Sequence, residues 1–165
     1  METGLLAVTG NIPNGYYGDP VKTAETFREF EGTRWSVPGD WATIGADGMV
    51  TLLGRGSVSI NTGGEKVYPE EVEEALKLLP EVVDCNVVGV PDPQWGAAVT
   101  AVVELAAGTD PSDTDLVDGL RSSLSGYKLP KNIVRVDSVF RSPNGKADYK
   151  WATKTAHDAL GIATD

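Results

Sequence analysis

Apolar positions fall into two regimes along the chain: long periodic segments after residue 69, and short runs broken by glycine and proline before it. Val72, Ala75, Leu76 and Leu79 recur at i, i+3, i+4 and i+7, predicting a helix over 69–79 that Pro69 starts and Pro80 stops. The near-continuous valines of Val82–Val90 predict a strand buried on both faces. Ala97–Leu105 predicts a second, with 91–96 as the connecting loop, in which Trp95 reads as a packing residue rather than a ligand. Ser112-Asp113-Thr114-Asp115 is similar to a capping box, and Leu116, Val117, Leu120 and Leu124 form the stripe of the helix it opens. Gly126 follows that helix's expected end. Gly119 inside it costs about 1 kcal/mol relative to alanine, so packing must hold this helix together. A strand over 133–139 and a helix over 148–160, closed by Gly161, complete a small α+β unit.

The shorter runs upstream predict a strand over 5–9, ended by Gly10 and Pro13, and a short helix over 23–27. Turns are expected at Asn14-Gly15 and Gly18-Asp19-Pro20. The apolar runs 41–44 and 49–53 flank Asp47-Gly48, a hairpin signal because both residues tolerate positive φ. Between the two regimes lies Gly54-Arg55-Gly56-Ser57, followed by Gly63-Gly64-Glu65-Lys66. The adjacent glycines let the backbone turn sharply and a ligand approach it closely.

Composition narrows the picture. A length of 165 residues fits one domain or one domain with a substantial extension, and the 41% hydrophobic content suffices for a core. No apolar run is long enough to span a membrane, and Glu2 stands where a secretory signal would be basic, so a cytoplasmic protein is expected. The net charge of -10 argues against non-specific nucleic-acid binding. Cys85 is the sole cysteine, which rules out an internal disulfide and a cysteine-rich zinc site; within its valine run it reads as a small buried side chain. His157 is the sole histidine and lies on the last predicted helix, a poor place for a catalytic base. No metal site is expected.

Gly39-Asp40-Trp41-Ala42, Gly63-Gly64-Glu65-Lys66 and Pro143-Asn144-Gly145-Lys146 together resemble the adenylate-forming enzymes, the superfamily of acyl-CoA synthetases, luciferases and peptide-synthetase adenylation domains. The likeness is nearest to bacterial fatty-acyl-CoA ligases and covers nearly the whole chain, but only the C-terminal part of those longer enzymes. It implies that 1–54 is the β-rich end of a large N-terminal adenylation domain, 55–58 a hinge at Ser57, and 59–165 the α+β C-terminal lid. Pro38 replaces the family's usual threonine before Gly-Asp, and Ser57 replaces its usual Asp or Lys.

The resemblance also implies roles. Asp40 would hold the ribose hydroxyls of ATP or AMP, since an ionised carboxylate can accept from two neighbouring hydroxyls. Arg55 and Lys66 would meet the nucleotide. Lys146 would bridge the substrate carboxylate and the α-phosphate during adenylation, and no P-loop surrounds it. Gly63, Gly64 and Glu65 would line the coenzyme A channel after the lid rotates, and Lys131 would meet a coenzyme A phosphate. ATP, Mg2+ and coenzyme A are therefore expected in the complete enzyme, and none bound to this chain alone. The phosphate loop, acyl tunnel and magnesium-binding glutamate motif of the family are not found in it. Its expected partner is an N-terminal adenylation domain. Two further readings stay open: an interaction module that oligomerises through exposed Leu5, Leu6, Val8 and Phe27, and a lid from an aryl-acid or carrier-protein-loading enzyme.

Overall fold

The computed structural model describes residues 2–163; Met1, Thr164 and Asp165 lie outside the described residues. The chain divides into two compact units, residues 1–57 and 58–165.

The first unit is built from strands. Strands β1 (Glu2–Leu5), β4 (Asp40–Ile44) and β5 (Val50–Arg55) form an antiparallel sheet in the order β1-β4-β5, and α1 (Pro20–Thr26) precedes a separate hairpin of β2 (Phe27–Phe30) and β3 (Thr33–Ser36). The strand expected over 5–9 is displaced. Pairing with β4 ends at Leu5, after which Leu6 N–H donates to Asp40 O, and Val8 bridges to Ser36 instead. The β2–β3 hairpin went unread because its turn is Glu31-Gly32, with φ 50° and 72°. Such turns usually carry Asn, Asp or Gly first. In the 45–48 turn, Gly48 alone takes a positive φ, while the Asp47 carboxylate accepts the Met49 N–H.

The second unit is a three-layer α+β fold. Strands β8 (Val82–Asp92), β9 (Gly96–Leu105) and β10 (Asn132–Val136) form a sheet in the order β10-β9-β8. β8 and β9 are antiparallel, and β9 and β10 are parallel. A parallel neighbour requires a crossover, which α3 (Asp113–Leu120) supplies. Alternation along β9 sorts the two cores. Val99, Ala101 and Val103 face α2 (Pro69–Lys77) and α3, whereas Ala98 and Val102 face α4 (Tyr149–Leu160). Along β8, Cys85 and Val87 join the first core and Val88 and Val90 the second, as a strand buried on both faces requires. A bulge between Val82 and Asp84 lets Val82 face the same core as Cys85.

The predicted helices form with the expected caps: Ser112 and Asp115 make a capping box, and Gly161 closes α4 at φ 66°. Three boundaries move. α3 stops at Leu120, although Leu124 beyond it still enters the core. β10 covers 132–136 rather than 133–139. Pro91 and Asp92 remain in the β8–β9 ladder opposite Ala97 and Gly96, which shortens the expected loop over 91–96 to residues 93–95. Gly119 has a packing reason: a Cβ there would lie 2.8 Å from Leu79 Cδ2, so any larger residue would require the Leu79 side chain to shift.

Candidate functional site

In the first unit, Asp40 opens β4 and Arg55 ends β5, and the two are register partners. Arg55 Nε lies 3.3 Å from Asp40 Oδ1, with the arginine exposed and the aspartate partly buried. A bulge between Trp41 and Ala42 re-aims this end of the strand pair. A carboxylate beside a guanidinium offers acceptors for a vicinal diol and donors for a phosphate. Ser57 follows in a 3-10 turn over Gly56–Val58. The permissive backbone expected of Gly56 belongs to Gly54, whose φ is 128°. Gly56 is instead fixed by Trp41, whose Nε1 would lie 2.6 Å from an added Cβ.

In the second unit, Gly63 and Gly64 join β6 (Ile60–Thr62) to β7 (Glu65–Val67) as a two-residue hairpin turn. Their φ values of 60° and 89° are both positive, as a type I′ turn demands. Glu65 and Lys66 follow as the exposed residues of β7, opposite Thr62 and Asn61. The turn is pinned to the β8–β9 connector. Gly63 N–H donates to Trp95 O at 2.9 Å, and a Cβ on Gly63 would lie 2.7 Å from the Trp95 ring. Lys131 Nζ sits 4.7 Å from the centroid of that ring and 3.7 Å from Asp92 Oδ2. Asp92 accepts the N–H groups of Trp95 and Gln94; these bonds, the Trp95 one foremost, hold its carboxyl below the usual range, with Lys131 adding to them. Glycine turn, indole face and lysine thus form one surface at the end of β8. Sequence reasoning gave Trp95 a packing role only. The signal for more was Asp92, whose Asx-type bonds aim the tryptophan.

Lys146 lies elsewhere in the same unit. Its turn is closed by Ser142 N–H to Lys146 O at 3.0 Å and Gly145 N–H to Ser142 O at 2.8 Å, and Arg141 and Ala147 bridge its base. Ser142 Oγ and the Asn144 amide brace it internally. Arg141 grips Asp84 with two N–H groups, Nε at 2.6 Å from Oδ2 and a second donor on Oδ1. Burial would raise the Asp84 carboxyl, but Arg141 and the Cys85 N–H outweigh it and hold the group below its usual range. Asp84 and Asp92 mark the two attachments, eight residues apart on β8, which separates the Lys146 turn from the glycine turn by roughly 25 Å of strand.

Among the described residues, no group of three or more His, Cys, Asp or Glu could hold a metal ion, and no helix is long and apolar enough to cross a membrane. Cys85 is buried and hydrogen-bonded to Glu73 O; burial first, then the Glu73 charge, pushes its thiol up, which keeps it unreactive.

Comparison with known proteins bears on the family and the fold. Residues 71–146 match the family described as the AMP-binding enzyme C-terminal domain. The medium/long-chain-fatty-acid–CoA/3-oxocholest-4-en-26-oate–CoA ligase of Mycobacterium tuberculosis strain H37Rv is 58% identical over 149 residues, 90% of this chain and 27% of that enzyme. The 3-oxocholest-4-en-26-oate–CoA ligase of Rhodococcus rhodochrous is 57% identical over 151 residues, 92% of this chain and 27% of that enzyme. The crystal structure of apo MatB from Rhodopseudomonas palustris superposes with a TM-score of 0.76 at 35% identity, covering 95% of this chain and 31% of that one. The chain thus spans about a quarter of the length of the curated relatives it matches. In sequence and in fold, it belongs to the adenylate-forming (AMP-binding) enzymes and corresponds to the C-terminal part of their acyl-CoA ligases.

Proposed function

We propose that residues 59–165 act as the moving lid of an ATP-dependent acid–CoA ligase acting on a fatty or related carboxylic acid, with 1–54 contributing to its nucleotide site and Ser57 at the hinge. The observation that carries this reading is the placement of the Lys146 turn and the glycine turn at opposite ends of β8. One rigid unit can then present either end by rotating, a different end for each half-reaction.

ATP supplies the electrophilic phosphorus and coenzyme A the thiol; the residues of this chain position them. Asp40 and Arg55, already paired, orient ribose and phosphate, with Lys66 as a further cation. Lys146, exposed at the end of its turn, brings two anions together and neutralises developing charge. In the second orientation, Gly63 and Gly64 leave a passage no side chain narrows, Glu65 borders it, and Lys131 with the Trp95 face meets the anionic end of coenzyme A. The Mycobacterium tuberculosis and Rhodococcus rhodochrous relatives are both CoA ligases, which favours coenzyme A over a carrier protein as acceptor.

The test supplies the N-terminal three-quarters of the M. tuberculosis relative in trans and follows ATP–pyrophosphate exchange with medium- and long-chain fatty acids. This chain alone gives no exchange, and the mixture does. Lys146→Ala lowers exchange about 100-fold or more while sparing thioester formation from added acyl-adenylate. Gly64→Trp does the reverse. Exchange by the isolated chain, or equal losses in both half-reactions for both variants, would overturn the proposal.

A further inference from the structure

Two carboxylates stand directly opposite each other near the start of β8 and the finish of β9: Asp84 and Glu104 are register partners in the antiparallel ladder. Strand alternation puts both on the α4 face, the one that Val88 and Val90 of β8 share with Ala98 and Val102 of β9. Like charges so placed repel and weaken a strand pair. Each is engaged from outside the ladder, and by the same short segment. Glu104 Oε2 accepts the Val139 N–H at 2.8 Å, and Asp84 accepts two N–H groups of Arg141. Asp84 is itself fixed. It borders the β8 bulge, and its Oδ1 also accepts the Cys85 N–H at 2.8 Å.

Residues 139–141 lead straight into the Lys146 turn, and from them the bracing runs on to the lysine. Arg141 and Ala147 bridge the base of the turn, and Arg141 Nη1 reaches Gly145 O at 3.5 Å. The Lys146 carbonyl accepts the Ser142 N–H and hydroxyl at 3.0 and 2.9 Å. The lysine backbone is thus tied to its turn, and the turn to two carboxylates of the sheet.

We propose that Asp84 and Glu104 together form the seat of the Lys146 turn, Asp84 acting as a positioning residue through Arg141 and Glu104 through the Val139 N–H, so that the lysine meets the reacting anions already oriented. The role in adenylation rests on the reading of Lys146 above; the mechanical link between seat and turn does not. A cation on a long, flexible side chain stabilises a transition state only from a fixed base, because a small misplacement forfeits much of the effect. The two carboxylates contribute unequally. The forked, charge-assisted pair of Asp84 with Arg141 is the stronger hold, whereas Glu104 meets one neutral backbone donor. Removing the Asp84 charge also relieves its repulsion with Glu104, so the ladder loses little while the turn loses its anchor. An ion pair that served stability alone would weaken sheet and turn together.

The experiment is amide hydrogen exchange by NMR on the full chain, comparing Ser142 and Gly145 with the amides of the central strand β9. Asp84→Asn lowers protection of the two turn amides about tenfold and leaves those of β9 within about threefold. Arg141→Lys, which keeps the charge without the fork, gives an intermediate loss, and Glu104→Gln, which keeps an acceptor, a smaller one. Glu71→Gln breaks the bonds to Lys128, away from the turn, and leaves turn protection unchanged relative to β9. In the in-trans assay, Asp84→Asn lowers kcat for ATP–pyrophosphate exchange about tenfold with KM for ATP unchanged, and spares thioester formation from added acyl-adenylate. Turn protection that survives Asp84→Asn, falls only in step with β9, or falls equally in Glu71→Gln would overturn the seat. A loosened turn with wild-type exchange would overturn its positioning role. Lys146→Ala is scored separately: full exchange in that variant would sink the catalytic reading, while the protection factors still decide the seat.

Discussion

Gly63 and Gly64 sit side by side in one turn, yet their surroundings constrain them differently. Both hold positive φ, but only at Gly63 would a Cβ meet the Trp95 ring, at 2.7 Å; at Gly64 nothing lies within 4 Å. Gly64→Ala is therefore expected to cost about 1 kcal/mol of left-handed strain. Gly63→Ala adds displacement of Trp95 from beneath Lys131 and should cost about 1 kcal/mol more. Urea unfolding of the two variants checks this; equal losses would mean that Trp95 yields without cost. Local chemistry of this kind was legible: paired glycines announce a turn, and Asn144-Gly145 announces another. Residues whose roles depend on a distant partner were not. Glu73 sits at a helix position where glutamate is ordinarily solvated, and only folding brings it to the β8 edge, where its Oε1 accepts the Val87 N–H. Trp95 looked like packing because its seat, Gly63, is thirty-two residues away.

Between elements, the ion pairs divide by exposure rather than by number. Arg121 and Asp118, on one helix end and both more than half exposed, exchange one entropy cost for one screened attraction. Lys128 and Glu71 differ: Nζ meets both carboxylate oxygens at 2.6 and 2.7 Å, and the side chains are 17% and 25% exposed. This pair joins α2 to the 3-10 turn over Gly126–Lys128, just past the expected end of α3. A double-mutant cycle of Glu71→Gln and Lys128→Met should return a coupling of about 1–2 kcal/mol, against about 0.3 kcal/mol or less for Asp118–Arg121. Similar couplings for both pairs would show that partial burial contributes nothing here. The same contrast explains what was readable among the elements. Helices α2, α3 and α4 carry their caps and stripes in consecutive residues, and the valine strands announce their own burial. The segment beyond α3 is tied down by a contact fifty-seven residues away, and the β2–β3 hairpin closes on a Glu-Gly turn with positive φ at both residues.

At the scale of the molecule, burial is distributed unequally between the two units. Both apolar cores lie within residues 60–162, and they supply nearly all the deeply buried side chains. Among the described residues of the first unit, Val37 and Ala42 are the apolar side chains buried to a comparable depth, at 8% and 7% exposure, while Phe30, Ile44, Val50 and Leu52 remain more than half exposed. Apolar burial is the main term offsetting chain entropy, and a segment of under 60 residues is marginal even when well packed. The second unit should therefore fold by itself and the first should not. A chain beginning at Val58 is expected to unfold in one cooperative transition, within about 1 kcal/mol of the main transition of the full protein, as followed by circular dichroism in urea. Residues 1–57 made separately should show no cooperative transition, and their addition should leave the larger piece unchanged. If the chain from Val58 loses its cooperative transition, the two units are one folding unit. Rotation of the second about residues 55–58 would then have to break stabilising contacts, and the proposed lid would need an external source of free energy to move.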